Sequence, residues 1–329
     1  MDTSTNTLES GANAVKKEGF LTLNMIQKYG MIIILVLITI MFSVLSPNFL
    51  TYSNMISMLR QVSIIGIIAA GQTLVIITAG IDLSVGSIVA LAGVISATVA
   101  LGSNSALLGI GAGLLAGTLI GLFNGFLISK VKLAPFIVTL ASMTLFAGLA
   151  LLVSGGNPII VSDPIFKFIG QGYVGPIPFP VIVLLFVYIV FFFILKKTVH
   201  GQYIYSIGGN EKATILSGIK VNKHKIIVYA TSGFLAGLAS IILTSRLSSA
   251  SPVAGTGYEL DAIAAVILGG TSLFGGRGHV FGTLVGVLIL GVLTSGMNLI
   301  NVSPFYQDIT KGVIILVAVI IDRFINNDK

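Results

Sequence analysis

In a chain this apolar, the few carboxylates are where chemistry could reside. Asp82 stands alone in "AGIDLSVGSIVALAGV", residues 79–94, between two apolar runs. Glu259 and Asp261 occupy a similar place in "GTGYELDAIAAVILGG", residues 255–270, and Asp308 opens the last apolar run. Three tasks are open to a carboxylate so placed. It can titrate or bind an ion, accept N–H groups where a helix opens, or meet a polar substrate.

Catalysis is poorly supported. The three histidines, His200, His224 and His279, fall at the ends of apolar runs with no acid beside them, so there is no H-E-x-x-H helix to hold a metal. Ser154, in "VSGGN", has glycine neighbours, but no histidine lies within an apolar run to activate it. The chain also has no G-x-x-x-x-G-K-[ST] phosphate loop and no cysteine. The expectation is no catalytic residue, no metal site and no cofactor in this chain.

Membrane helices must position whatever polar groups function here. Hydrophobic residues make up 55% of the chain, charged residues 9%, and the mean hydropathy is +1.04. The uncharged runs Gln61 to Ile81, Leu83 to Ser129, Leu133 to Ser162 and Phe168 to Leu195 each meet the roughly 20 residues that a helix needs to cross a bilayer. The expected fold is an all-α polytopic membrane protein with about ten transmembrane helices, near 29–46, 60–79, 83–101, 106–128, 135–153, 180–195, 225–246, 259–273, 279–299 and 307–323. The eighth is short and glycine-rich, a half-helix or re-entrant element that protein or a water-filled cavity must shield. Thirty-nine glycines suit close helix packing in lipid.

Residues 1–27 lack the apolar core of a signal peptide and read as a polar cytoplasmic tail. Residues 28–325 then form the transmembrane domain and 326–329 a cytoplasmic end. With the N-terminus inside, Lys16, Lys17, Lys28, Lys130, Lys132, Lys196, Lys197, Lys212, Lys220, Lys223, Lys225, Arg277, Arg323 and Lys329 are cytoplasmic. Only Arg60, Lys167, Arg246 and Lys311 lie elsewhere. Topology and anionic headgroups account for the net charge of +7 without nucleic acid.

"GIDLSVGSIVALAG" from Gly80 aligns without gaps to "GYELDAIAAVILGG" from Gly257, and "APF" at Ala134 matches "SPF" at Ser303 in order and spacing. In the ten-span topology these markers have opposite orientation, which gives 5+5 inverted-repeat character and points to transport. Between spans six and seven lies a basic segment whose middle, Asn210 to Ile219, reads as a short helix. Asn210 can cap it, Glu211 favours its positive end and Gly218 can close it. Such a helix serves either docking to another protein or as an ordinary interfacial loop.

The runs "AGIDLSVGSIVAL", "GGNEKATILSGI" and "GTGYELDAIAAVILGGTSLFGGRGHVFGTLVG" resemble, over about residues 25 to 325, the membrane permease of ribose-type bacterial ABC sugar importers, of the branched-chain amino acid/ribose permease family. The resemblance implies a homodimer in the bacterial cytoplasmic membrane. It also implies a separate cytoplasmic ATPase that binds ATP and Mg, and a periplasmic or lipid-anchored sugar-binding protein. Residues 208–219 then become the coupling loop, with Asn210, Glu211, Ala213, Ser217, Gly218 and Ile219 toward the ATPase. Relative to the importers' E-A-A…G signature, Lys212 replaces the middle alanine and Gly218 falls one position late. Ribose is the nearest substrate expectation within the family.

A neutral sugar is met by amides, hydroxyls and aromatic faces. Candidates for the translocation path are Gln72, Asn124, Thr139, Ser142, Asn298 and Gln307, with Phe136 and Phe305 as gates. A serine or threonine there can equally bond back to its own helix. Asp308 and Lys311, three residues apart, are expected to pair along one helix face. Burying Asp82 unpaired near the bilayer centre would cost about 3 kcal/mol or more. Gly80 and Asp82 are therefore expected to form a capped, moving hinge, with Gly257, Glu259 and Asp261 as its counterpart on the opposite side of the path; substrate contact by Asp82 is the competing role. The alternative function is an ion-coupled secondary sugar transporter using one of these carboxylates, which would have no need of a docking loop.

Overall fold

The computed structural model describes residues 30–327 of the 329. The tail expected at 1–27, with Lys16 and Lys17, lies outside the described residues, as do Lys28 and Lys329. In chain order the helices are α1 (Gly30–Leu45), α2 (Tyr52–Ile77), α3 (Val85–Ser103), α4 (Ala106–Ser129), α5 (Pro135–Ser154), α6 (Pro164–Gln171) and α7 (Phe179–Lys197). They continue as α8 (Val199–Gly209), α9 (Glu211–Leu216), α10 (Val221–Leu247), α11 (Tyr258–Leu268), α12 (Val280–Leu299) and α13 (Pro304–Asn327). Four two-residue strands make two antiparallel pairs: β1 (Ile159–Ile160) with β4 (Ser249–Ala250), and β2 (Tyr173–Val174) with β3 (Ile177–Pro178).

Seven helices, α2, α3, α4, α5, α7, α10 and α12, are long and apolar enough to cross a membrane. The chain is an all-α polytopic membrane protein. Of the ten expected spans, α11 has only 11 residues, about 16 Å or half a hydrocarbon core. The last span, α13, carries Asp308, Lys311, Asp322 and Arg323.

Two expected boundaries moved for visible reasons. The second span was expected to open at Arg60, yet α2 begins at Tyr52 and runs through Arg60. Its guanidinium donates to the Gln171 carbonyl at 2.7 Å and lies 4.7 Å from the centre of the Tyr173 ring, partners that α6 and β2 bring to it. The basic segment before the seventh span is itself helical: α8 fills its first part, and α10 starts at Val221 rather than near residue 225.

Helix α2 is the axis of the molecule. Every residue from Val62 to Ile77 is buried, against α10, α12, α7 and α11. Alongside it, α10 packs on α4 across a ridge of glycines spaced four apart, Gly113, Gly117, Gly121 and Gly125. A Cβ on Gly117 would strike the Gly233 carbonyl, and one on Gly121 the Tyr229 carbonyl, so only glycine permits this backbone contact.

The helix breaks and the basic segment

The chain leaves α2 at Ile77 and enters α3 at Val85 through an irregular stretch in which Ala79 takes φ +58°. Asp82 sits in it, fully buried. Its Oδ1 accepts from the Ser84 N–H at 3.0 Å and the Ser84 hydroxyl at 2.6 Å, and its Oδ2 accepts from the Ser232 hydroxyl of α10 at 3.0 Å. From Ser84 the network continues: Asn124 of α4 donates to Ser84 Oγ at 2.9 Å, and Ser142 of α5 donates to Asn124 Oδ1 at 2.5 Å. Thr139 of α5 donates to the Ile81 carbonyl at 3.2 Å and to its own Pro135 carbonyl at 2.9 Å. Four elements are thus tied to one carboxylate. Ser232 lies 11 residues past the start of α10, about 16 Å along its axis, which places the network deep among the helices.

A backbone contact across space joins this break to the basic segment. Asn210 Oδ1 accepts from the Ala213 N–H at 2.9 Å and opens α9, while Gly218, at φ +80°, turns the chain back toward α10. The carboxylate of Glu211 pairs with Lys225 of α10 at 2.7 Å. Ser217 donates to the Ala213 carbonyl at 3.0 Å, and the Ile219 N–H donates to Thr214 O at 3.3 Å. Leu216 is 88% exposed at the tip. Thr214 then ties α9 to α8 by donating to the Ser206 carbonyl at 2.9 Å. At the end of α8, Gly208 is wedged against the Ile77 carbonyl, which also accepts from the Gly276 N–H at 2.9 Å. The last residue of α2 before the break is therefore in direct backbone contact with the end of α8.

The second break precedes α11. After Ser249–Ala250 pairs with β1, the chain turns inward through Gly255 and Gly257, at φ +86° and +85°. Glu259 Oε1 accepts from the N–H of Gly257, the residue that opens α11, at 3.2 Å, within its own turn. Gly86, in the first turn of α3, lies directly against the Glu259 carboxylate and the Gly255 carbonyl. The two breaks therefore adjoin, contrary to the expectation that Gly80 with Asp82 and Gly257 with Glu259 would lie on opposite sides. The inward return of residues 251–257 is what brings them together. From this meeting point α3 runs toward β1 and β4, whereas α11 leads to Gly276 at the α8 end.

Two further pairings depart from expectation. Lys311 pairs with Asp261 of α11 at 3.0 Å instead of with Asp308, which is exposed. Two of the three histidines meet: His200 and His224 have their Nδ1 atoms 2.7 Å apart, joining α8 to α10, while His279 Nδ1 accepts from the Gly282 N–H at 2.8 Å. Burial lowers the His200 pKa from its ordinary value.

The remaining candidates are dispersed. Gln72 is fully buried in α2. Gln307 donates to Asn298 Oδ1 at 2.7 Å and to the Val302 carbonyl at 3.0 Å, away from Asp82. Phe136 and Phe305 are exposed. Ser84, Ser232, Tyr229 and Gly208 escaped sequence reasoning. Ser84 had a signal, since Asp-x-Ser is a side-chain turn pattern; Ser232 and Tyr229, whose hydroxyl crowds Gly80, are distant in sequence and had none.

Residues 54–319 match the family described as branched-chain amino acid transport system / permease component. Over 299 residues the chain is 50% identical to the ribose import permease protein RbsC of Bacillus subtilis (strain 168), a match spanning 90% of this chain and 93% of that one. To RbsC of Haemophilus influenzae it is 48% identical over 93% of this chain and 95% of that one. To the D-allose transport system permease protein AlsC of Escherichia coli (strain K12) it is 40% identical over 91% and 92%. No solved structure matches. The chain belongs to the branched-chain amino acid transport system / permease component family.

Proposed function

We propose that the chain is the transmembrane subunit of an ATP-driven ABC importer that moves ribose or a similar monosaccharide across the bacterial cytoplasmic membrane. ATP and Mg are bound and ATP is hydrolysed by a separate subunit. The observation that carries this function is the 48–50% identity, over at least nine tenths of both chains, to permeases named for ribose import. The full assembly has two copies of this chain, an ATPase docked at the α9 face and a sugar-binding protein at the opposite face. Both termini are cytoplasmic, and ten spans with inverted-repeat character include α11 as a half-length element.

The mechanism uses the contacts in series. ATP-driven closure of the ATPase pushes α9, whose exposed Leu216 and Ile215 offer an apolar tip. Through Thr214 and Ser206 the push reaches α8, and through Gly208 the end of α2. The irregular stretch around Asp82 then changes its angle between the two states, and only differential stabilisation of one state by nucleotide drives the cycle. Gln72, Asn124, Thr139 and Ser142 supply neutral polar groups suited to hydroxyls, with Asn298, Gln307, Phe136 and Phe305 completing the path in the dimer.

Proteoliposomes holding this chain, its ATPase and its binding protein should take up labelled ribose only with ATP inside. Uptake by the chain alone, driven by a proton or sodium gradient, would overturn the importer assignment.

A further inference from the structure

Beside α9 an open cleft of about 720 Å³ lies between the α4–α5 connection and the start of α10. Lys130 and Lys132 come from the first, Lys220 and Lys223 from the second, and Ile226 and Ile227 of α10 extend the lining with apolar surface. No carboxylate lines it. Lys225, the next lysine along, is already paired with Glu211 at 2.7 Å and stands outside the cleft. Lys132 donates to the neutral Oδ1 of Asn222 at 2.8 Å, which joins the two sides without cancelling any charge. Local backbone geometry builds the site: Lys132 takes φ +67°, and Gly218 at φ +80° returns the chain to Lys220.

Four like charges gathered in one concavity repel one another, and among the described residues no ion pair relieves them. A small free anion would satisfy the charges but leave Ile226 and Ile227 bare. These isoleucines begin the apolar part of α10, a helix long and apolar enough to span the bilayer, so the cleft sits where headgroups give way to acyl chains. We propose that the cleft is a binding site for an anionic phospholipid, with its phosphate among Lys130, Lys132, Lys220 and Lys223 and an acyl chain along Ile226 and Ile227. The site adjoins α9 through Ile215 and the turn after it through Ile219, so a bound lipid would brace the segment that leads to the Ile77 contact. This inference requires only the membrane fold and is independent of the transported sugar.

The test is native mass spectrometry of the full-length chain in neutral detergent, titrated with phosphatidylglycerol and, separately, phosphatidylcholine. Phosphatidylglycerol should be retained selectively, with roughly a fivefold loss of affinity for each lysine replaced by glutamine. The set Lys130→Gln, Lys132→Gln, Lys220→Gln and Lys223→Gln should abolish the selectivity, while Lys196→Gln with Lys197→Gln leaves it within twofold. If the fourfold variant fails to fold, Asn222→Asp serves instead; a carboxylate beside Lys132 should weaken phosphatidylglycerol at least fivefold and leave phosphatidylcholine unchanged. Equal losses from both lysine sets, or equal retention of the two lipids, would overturn the proposal. So would displacement of phosphatidylglycerol by millimolar inorganic phosphate, which would make the cleft a free-anion site, or by the partner ATPase, which would make it a protein interface.

Discussion

At the first helix break Asp82 is fully buried and accepts three hydrogen bonds, two from Ser84 and one from Ser232. At the second, Glu259 is half-buried and accepts one, from its own Gly257 N–H. The stretches align in sequence and adjoin in space, yet the first is bound by side-chain hydrogen bonds to α4, α5 and α10, whereas the second meets its neighbours through the Lys311–Asp261 pair and the packing of Gly86. The first is in contact with the end of α8 through Gly208 and Ile77 and is held by α4, α5 and α10; in the coupling proposed above, a push from α9 would meet a joint of fixed geometry. The second is formed by left-handed glycines, and its nearby acid, Asp261, pairs with Lys311 at 3.0 Å. A break that transmits motion needs a defined geometry in each state, whereas one that follows can be loosely tied.

Removing each acid gives the strongest test of this contrast. Asp82→Ala strands the Ser84 and Ser232 donors in a buried layer and should cost about 3–5 kcal/mol, read as a loss of thermal stability in nanodiscs. Glu259→Ala should cost about 1 kcal/mol or less. Equal losses would erase the distinction. Next comes the link to α9: a Cβ at Gly208 has no room against the Ile77 carbonyl and the Gly276 N–H. Gly208→Ala should therefore cost about 1–3 kcal/mol and, in the assembled complex, reduce sugar uptake per ATP hydrolysed. Gly257→Ala, in the open turn of the second break, should leave that ratio intact even though its positive φ costs some stability.

Asp82→Asn separates cap from substrate contact. The amide oxygen still accepts from Ser84, and its NH2 can donate to the Ser232 hydroxyl, so about 1 kcal/mol is lost and most transport should remain. Abolished uptake in an assembled, ATP-hydrolysing complex would assign Asp82 to the substrate instead.

The membrane fold was legible because apolar runs of bilayer length need no tertiary information. The helix break at Asp82 was legible too, since an acid between glycine-rich runs is costly anywhere else. Neighbours across space were not. Lys311 was read with Asp308 because helical spacing puts them on one face, but Asp261 approaches from α11 and lies within 3.0 Å. The opposite-side placement of Glu259 followed from the ten-span topology, and nothing local records the inward return of residues 251–257. The histidines looked solitary because 24 residues separate His200 from His224. Conversely, the glycines at 113, 117, 121 and 125 were visible as a four-residue repeat, but the identity of the partner helix, α10, was not.

A smaller effect should come from Asp261→Asn, which leaves Lys311 partly buried without its partner and should cost up to about 1 kcal/mol at low salt. Added salt should weaken the native pair and shrink the difference between variant and native chain, while the Asp82→Ala loss, shielded from solvent, should stay nearly constant. A salt-insensitive Asp261→Asn loss would make the second break as sequestered as the first.

The mildest test is pH, because α8, which abuts the first break, is held to α10 by the His200–His224 contact. One neutral ring donates through Nδ1–H and the other accepts, and a second proton would set two donors head to head at 2.7 Å. Lys223, adjacent to His224, adds positive charge, and the Tyr203 ring, 4.9 Å from that of His224, offers no counter-charge. Burial lowers the His200 pKa from 6.5, so below about pH 6.5 the unfolded chain binds protons that the folded chain resists. Stability should be fully present above that pH and decline as pH falls, by less than about 1 kcal/mol for a partly exposed pair. Replacing both rings, His200→Gln with His224→Gln, should flatten the decline between pH 7 and 5.5 in nanodisc melting. An unchanged slope would show that the His200–His224 contact does not set the pH response, and that the joint nearest α9 is insensitive to protons.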